Sequence, residues 1–528
     1  MLSWCKLALP PIAAALSLLS ASPAHAAGNP QLELCNQLPQ HLGEQEKWRL
    51  KQALTESFPV RYFDTLSRVR IEETVNEYLL GPQAGAPMGG QGAPKIIVPA
   101  AFLPRQCRML LLQAYHLSGN TRGEEKVKPA AQACIRRGGG WASCLDAAVT
   151  AHLAQASPVP WEPSDADGLT IEQFLANAPW LSVQFLMAHE AAHLVLPKQG
   201  ESAELEADLL GLQSMISNGT LPIGLLSGFA TTSLIDEVVS ADLHGSSACR
   251  ALRSQQLTKR LLPKVLLLSV ALIKPEKFRA AQANSDLSDS TSLLMAPAGQ
   301  CTTYSPGRFD AMERDLDDLL VISKRSVEAV NAGTPYDLAA ALDAFSPRTP
   351  DGMKWKTVML FMSAMRGSMT GTFDLAGGRQ YLAKIEPLFG KVDLTSLAPN
   401  NYAALAFLRA MSWYMSQPAG TSAVANAREL VARFNVAQRY LPLDGPVLEM
   451  ARVGVANKDL AAMGVVMAAL SFSLARIIAE GCGDPERMMK PFVAINPAMV
   501  GADRAAACVE LRNSSIASQV KEFGWTAN

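Results

Sequence analysis

The sequence predicts a mainly α chain with a small β element, an α+β fold in which helices dominate. Three observations carry that prediction. Apolar residues recur at helical spacing over residues 31–80, 180–211, 252–273 and most of the chain beyond Gly352. The best strand candidate, Lys95-Ile96-Ile97-Val98-Pro99, is β-branched and bounded by prolines, which suit an edge position. Gly- and Pro-rich stretches at 82–94 and 346–352 break the helical pattern where the chain must turn.

From the start of the chain, Lys6 precedes an almost wholly apolar run over residues 7–19, and Ala24-His25-Ala26 supplies the small residues a signal peptidase needs. Residues 1–26 therefore read as a signal peptide, with Ala27 as the mature start and the periplasm or the medium as the expected location. The run is too short, and too interrupted by Pro10 and Pro11, to serve as a spanning helix. Of nine cysteines, Cys5 leaves with the signal, and the even remainder in an oxidising compartment points to disulfides. Closeness along the chain pairs Cys134 with Cys144, around the Gly138-Gly139-Gly140 turn, and Cys482 with Cys508. The pairing of Cys35, Cys107, Cys249 and Cys301 stays open. No CxxC pair occurs, which argues against a thiolate metal site.

With 528 residues, 49% of them apolar, the chain has material for more than one core. The linker-like composition of 346–352 divides it into an expected domain at 27–345 and an α-helical domain at 346–528. A net charge of −1 without Lys/Arg clusters excludes nucleic acid as the main partner. The most hydrophobic internal stretch, 460–475, lies between Asp459 and Arg476 and is shorter than the roughly 20 residues a membrane span needs. It reads as a buried helix, so no transmembrane helix is expected in the mature chain.

The chemistry concentrates at Met187-Ala188-His189-Glu190-Ala191-Ala192-His193-Leu194. On a helix the i, i+4 spacing puts both imidazoles on one face, where their nitrogens can converge on one metal ion. Glu190 is rotated by about 100° from His189, so it addresses a water beside the metal and not the metal itself. Residues 197–200 can end this helix, and helical periodicity resumes at Glu201. There Glu204 and Asp208 share a face by i, i+4, which makes Glu204 the third ligand. Asp208 is then placed to accept the free ring N–H of a metal-bound histidine and fix its tautomer. Zn2+ is the ion such a set selects. His41, His116 and His152 sit in contexts where a structural or exposed role is the common outcome.

His189-Glu-Ala-Ala-His193 followed by Glu204-Leu-Glu-Ala-Asp208 resembles the HExxH plus ExxAD pairing of gluzincin metallopeptidases, in particular the HtpX-like and CAAX-prenyl-protease group. The later His244-Gly-Ser-Ser-Ala-Cys-Arg250 is similar to that group's His-Pro-x-x-x-x-Arg, with Gly in place of Pro. The gap between His193 and Glu204 is shorter than is usual there and closer to the spacing of ImmA/IrrE-like peptidases. The resemblance covers less than half of the chain. It implies a zincin-like catalytic domain with a small edge-strand sheet beside the HExxH helix, followed by an α-helical C-terminal region. It also implies His244 and Arg250 near the metal, as donors to a transition state or, for His244, as a fourth ligand.

The expected function is zinc-dependent hydrolysis of a polypeptide substrate in the cell envelope, with Glu190 as the base. An edge strand at Lys95–Pro99 would hold the extended substrate by strand addition. The competing expectation is a catalytically silent zinc-binding scaffold, its site closed by a further ligand, whose C-terminal helical region binds a protein partner.

Overall fold

In the computed structural model the described residues are 29–85, 93–117, 122–159, 170–196, 201–217, 234, 247–273, 277–283, 307–369, 378, 381–417, 422–440, 460–495 and 503–513. Helices account for most of them, with a single three-stranded sheet and a wholly helical C-terminal part, as the sequence pattern predicts. The expected signal peptide and His244 lie outside the described residues. Two compact units form: one of residues 19–265 and 283–309, the other of 266–282 and 310–528.

The first unit opens with α1 (Pro30–Asn36) and α2 (Glu44–Ser57), then β1 (Arg70–Thr74), β2 (Gln83–Gly85) and β3 (Lys95–Pro99). Helices α3 (Phe102–Leu117), α4 (Arg122–Arg136), α5 (Trp141–Gln155), α6 (Ile171–Val195) and α7 (Glu201–Ser217) follow, and α8 (Ser247–Ile273) begins here. The strand expected at Lys95–Pro99 is present, but it is the central strand and not an edge. The sheet order is β1-β3-β2, with β1 parallel and β2 antiparallel to β3.

The flanking prolines permit the central position because they fall where no ladder donor is needed. The Pro94 carbonyl accepts Arg70 N–H, and Ala100 N–H reaches Thr74 O. Backbone groups alternate sides, so the donor that Pro99 lacks faces the β2 side, beyond the end of a strand that reaches only from Lys95 to Ile97. Ile96 and Val98 are fully buried on one face, the period-2 signature of a half-covered sheet.

The long helix α6 is started by a capping box between Thr170 and Gln173. Its first half joins a core with Cys107, Leu111, Leu145 and Leu153 through Ile171 and Leu175. Its second half packs Val183, Met187, Ala188, Ala191 and Ala192 against Ile96, Val98, Leu50, Leu54 and Phe102. The alanines around the histidines are thus a packing surface, and small side chains there let the sheet and α7 approach the helix that bears the motif. Disulfides join Cys35 to Cys107 and Cys134 to Cys144 in this unit, and Cys482 to Cys508 in the other. The two local pairs are those that sequence proximity favours; Cys35–Cys107 spans 72 residues and needed the fold to bring α1 onto α3.

The second unit contains α9 (Phe278–Ala283), α10 (Gly307–Ala332, from Asp310 onward), α11 (Leu338–Ala344) and α12 (Pro350–Met369). It continues with α13 (Pro399–Ser416), α14 (Ala423–Gln438), α15 (Leu460–Glu480), α16 (Pro485–Ile495) and α17 (Arg504–Asn513). Phe407, Phe434 and Phe472 pack in tilted and edge-on contacts across α13, α14 and α15 at centroid distances of 5.4 and 5.6 Å. The apolar stretch 460–475 forms α15, and no described helix is long and apolar enough to cross a membrane.

Residues 346–352, read above as a domain junction, lie inside this unit. The fully buried Asp315 of α10 accepts the backbone N–H groups of Arg348 and Thr349 and the Thr349 hydroxyl. These bonds pin the chain just before α12, whose Gly352 N–H is capped by the Thr349 hydroxyl that Asp315 holds.

A candidate metal centre between α6, α7 and α8

The last turns of α6 present His189 and His193 toward α7, from which Glu204 and Asp208 point back. His189 Nε2 lies 3.1 Å from His193 Nε2 and 3.1 Å from Glu204 Oε2, and His193 Nε2 lies 3.2 Å from Glu204 Oε1. Bonds of about 2.0–2.2 Å to a tetrahedral ion separate neighbouring ligand atoms by roughly 3.3 Å, so these three side chains already stand close to the corners such an ion requires. The donor set agrees: two imidazole nitrogens cannot turn lone pairs on each other at 3.1 Å unless a proton or a cation lies between them. His189, His193 and Glu204 could hold a metal ion, and they form the only such group among the described residues.

Asp208 is fixed behind the histidine, its Oδ1 accepting from His189 Nδ1 at 2.9 Å. That hydrogen bond places the Nδ1 proton on the side away from the ligand cluster and leaves Nε2 to face it. Burial by itself lowers the pKa of His189, but the hydrogen bonds to Asp208 and Glu204 and the charge of Asp208 outweigh it and raise the value to about 9, against the opposing charge of Arg250. For Asp208, burial favours the neutral acid. The guanidinium of Arg250 and the bond to His189 overcome this and hold the carboxyl below its usual range.

Arg250, in the first turn of α8, lies against this cluster. Its Nε donates to Asp208 Oδ2 at 2.7 Å and its Nη2 to Asp208 Oδ1 at 2.8 Å, a bidentate grip, with Nη2 also 3.4 Å from Glu204 Oε2. One cation therefore steadies both acids of α7.

Glu190 lies apart from this set. Its Oε2 accepts the backbone N–H of Ala84 at 2.6 Å, while its Oε1 stands 3.9 Å from His189 Nε2. The carboxylate thus spans from the sheet to the rim of the metal cluster without belonging to it. Gln83 and Gly85 pair with Ile97 and Lys95, so the Ala84 amide between them faces away from β3, on the side of β2 that no described strand covers.

Nothing in the sequence pattern points to this partner. β2 has three residues, falls in a stretch read as loop, and contributes a backbone group that every residue type but proline carries. His41 hydrogen-bonds Glu73 at the surface, and neither it nor His116 or His152 joins the cluster. Compared with family models, curated proteins and solved structures, the chain matches none.

Proposed function

We propose that the chain is a zinc-dependent endopeptidase of gluzincin type, exported to an oxidising compartment and acting on polypeptide substrates. The observation that carries the reading is the placement of Glu190. One oxygen is anchored on Ala84 N–H and the other is directed at the edge of a His189/His193/Glu204 set, which is the position a general base needs beside a metal site. Export is supported by the N-terminal sequence and by disulfides in both units.

Zinc held by His189, His193 and Glu204 would polarise the scissile carbonyl and lower the pKa of a water in the site. Glu190 takes the proton of the attacking water on Oε1 and delivers it to the leaving amine, while the Ala84 amide keeps the carboxylate oriented through both transfers. Asp208 and Arg250 hold His189 and Glu204 in register and do not touch the substrate. Strand addition at Lys95–Pro99 itself is blocked, because β1 and β2 cover β3 on both sides.

Zinc quantification and casein digestion by wild type and Glu190→Gln test the reading. Bound zinc in both proteins with turnover in wild type alone is the expected result. Full activity in Glu190→Gln, or no zinc in either, overturns it.

A further inference from the structure

Strand β2 is only three residues long and two of them are Ala84 and Gly85, so its own side chains do little to hold it. The chain leading into it is fastened upstream. Helix α5 begins with Gly140 at its N-cap, which has no side chain to satisfy the first amides. Glu77, from the loop between β1 and β2, supplies that cap from outside the helix. Its carbonyl accepts Ala142 N–H at 2.8 Å and its Oε2 accepts the Ser143 hydroxyl at 3.0 Å, with a negative charge set at the positive end of the helix.

The seat beneath Glu77 is closely fitted. A Cβ on Gly140 would strike both Cβ and Oε2 of Glu77, and one on Gly139 would strike the sulfurs of the Cys134–Cys144 disulfide. Gly138 turns the chain at φ +89°, so each glycine of the triplet has its own reason. Beyond Glu77, Tyr78 packs edge-on against Trp141 at 5.7 Å. Arg105, bidentate on Asp146 of α5, donates to Leu80 O at 3.2 Å. The loop is thus tied at residues 77, 78 and 80, and three residues after Leu80 the chain enters β2 and offers Ala84 N–H to Glu190.

We propose that Glu77 is a positioning residue for Glu190: by capping α5 from the neighbouring loop it sets β2 at the height where the Ala84 amide meets the carboxylate. The disulfide-closed turn between α4 and α5 is the fixed base from which that alignment is held. The consequence for turnover rests on the peptidase reading above; the coupling from Glu77 to Ala84 does not.

The test compares Glu77→Ala, Glu77→Gln, Gly140→Ala and Ser143→Ala in the full chain. It reads hydrogen–deuterium exchange of segment 81–85, kcat on casein, and bound zinc. Glu77→Ala removes the carboxylate that accepts the Ser143 hydroxyl and its charge at the helix start while leaving the carbonyl on Ala142, and Gly140→Ala pushes Glu77 off its seat; each should speed exchange of 81–85 by about fivefold and lower kcat by about fivefold, with zinc content unchanged. Glu77→Gln keeps an acceptor for Ser143 and should restore most of both. Unchanged exchange at 81–85 in these variants, or a kcat loss that Glu77→Gln does not rescue, overturns the proposal. Ser143→Ala removes only the hydroxyl and decides in the same sense if Glu77→Ala does not fold. If wild type fails to cleave casein, the peptidase reading falls, and exchange at 81–85 alone decides whether Glu77 positions β2.

Discussion

Arg250 grips Asp208 through two hydrogen bonds of 2.7 and 2.8 Å, and the same guanidinium stands 3.4 Å from Glu204. A residue that the motif resemblance implies as a donor to the transition state is therefore engaged with Asp208 and Glu204. The distinction is measurable. Arg250→Lys keeps the charge but not the two-pronged geometry, and should weaken metal affinity by about 10–100-fold, as for other partners of metal ligands. Competition with a chelator reads this, and an unchanged affinity with reduced kcat would return Arg250 to the role of oxyanion donor.

On the proposed reading, removing a metal-binding side chain differs from removing Glu190. Glu204→Gln replaces the carboxylate, whose Oε2 faces His189 and Oε1 faces His193, by a neutral amide, and His193→Ala deletes a nitrogen from the set. Each should abolish stoichiometric metal binding in equilibrium dialysis while leaving the helical circular dichroism intact. Metal retained at full stoichiometry in both variants would show that the ion binds elsewhere.

Ala84→Pro deletes the N–H that meets Glu190 without removing a ladder bond to β3, since that amide faces away from β3. A hydrogen bond to a charged acceptor contributes about 1.5 kcal/mol, so kcat should fall about tenfold with metal content unchanged. Ala84→Gly, which keeps the amide, is the control; equal rates in the two variants would exclude the anchoring role.

In the second unit Gly352 lies on α12 where an added Cβ would strike the Asp315 carboxylate. Replacing glycine by alanine inside a helix ordinarily stabilises by up to about 1 kcal/mol. Here the sign should reverse, with Gly352→Ala costing about 1–3 kcal/mol in urea unfolding, because Asp315 is fully buried and holds the backbone at Arg348 and Thr349.

Glu386 provides the pH dependence. Its hydrogen bonds from Arg409 at 2.9 and 2.7 Å, assisted by the charges of Arg409 and Arg433, outweigh burial and hold its pKa below the usual carboxylate value. A group depressed in the folded state adds stability above its unfolded pKa of about 4.3 and loses it as pH falls through the lower folded value. The side chain is 38% exposed, so solvent screening keeps the contribution under about 1 kcal/mol. Urea midpoints of Glu386→Gln and wild type should differ at pH 6 and converge as the pH falls through the lowered folded-state pKa; a difference constant with pH would rule out the linkage.

Much of the site was legible because its information is local. The i, i+4 spacing of His189 and His193, and of Glu204 and Asp208, fixes which side chains share a helix face before any packing is known. Lys95–Pro99 declared itself a strand through β-branching, and Cys134–Cys144 and Cys482–Cys508 through proximity. The central place of β3 was not legible, because prolines at both ends suggest an edge and only the lengths of β1 and β2 reveal that the missing donors face no partner. Nor was the continuity of 346–352 with α10, which depends on Asp315, 33 residues away from Arg348.

The sequence by itself determined the chemistry: helices with faces of defined composition, two of them carrying the imidazoles and carboxylates of one donor set. Tertiary structure decided the partners. It brought Arg250 onto Asp208, 42 residues away, and Ala84 N–H onto Glu190 across 106 residues. The physical reason is that helical periodicity orders side chains within one turn of each other, whereas a backbone amide or a salt bridge between distant elements leaves no periodic trace. Its geometry exists only once apolar burial has fixed where each helix and strand lies.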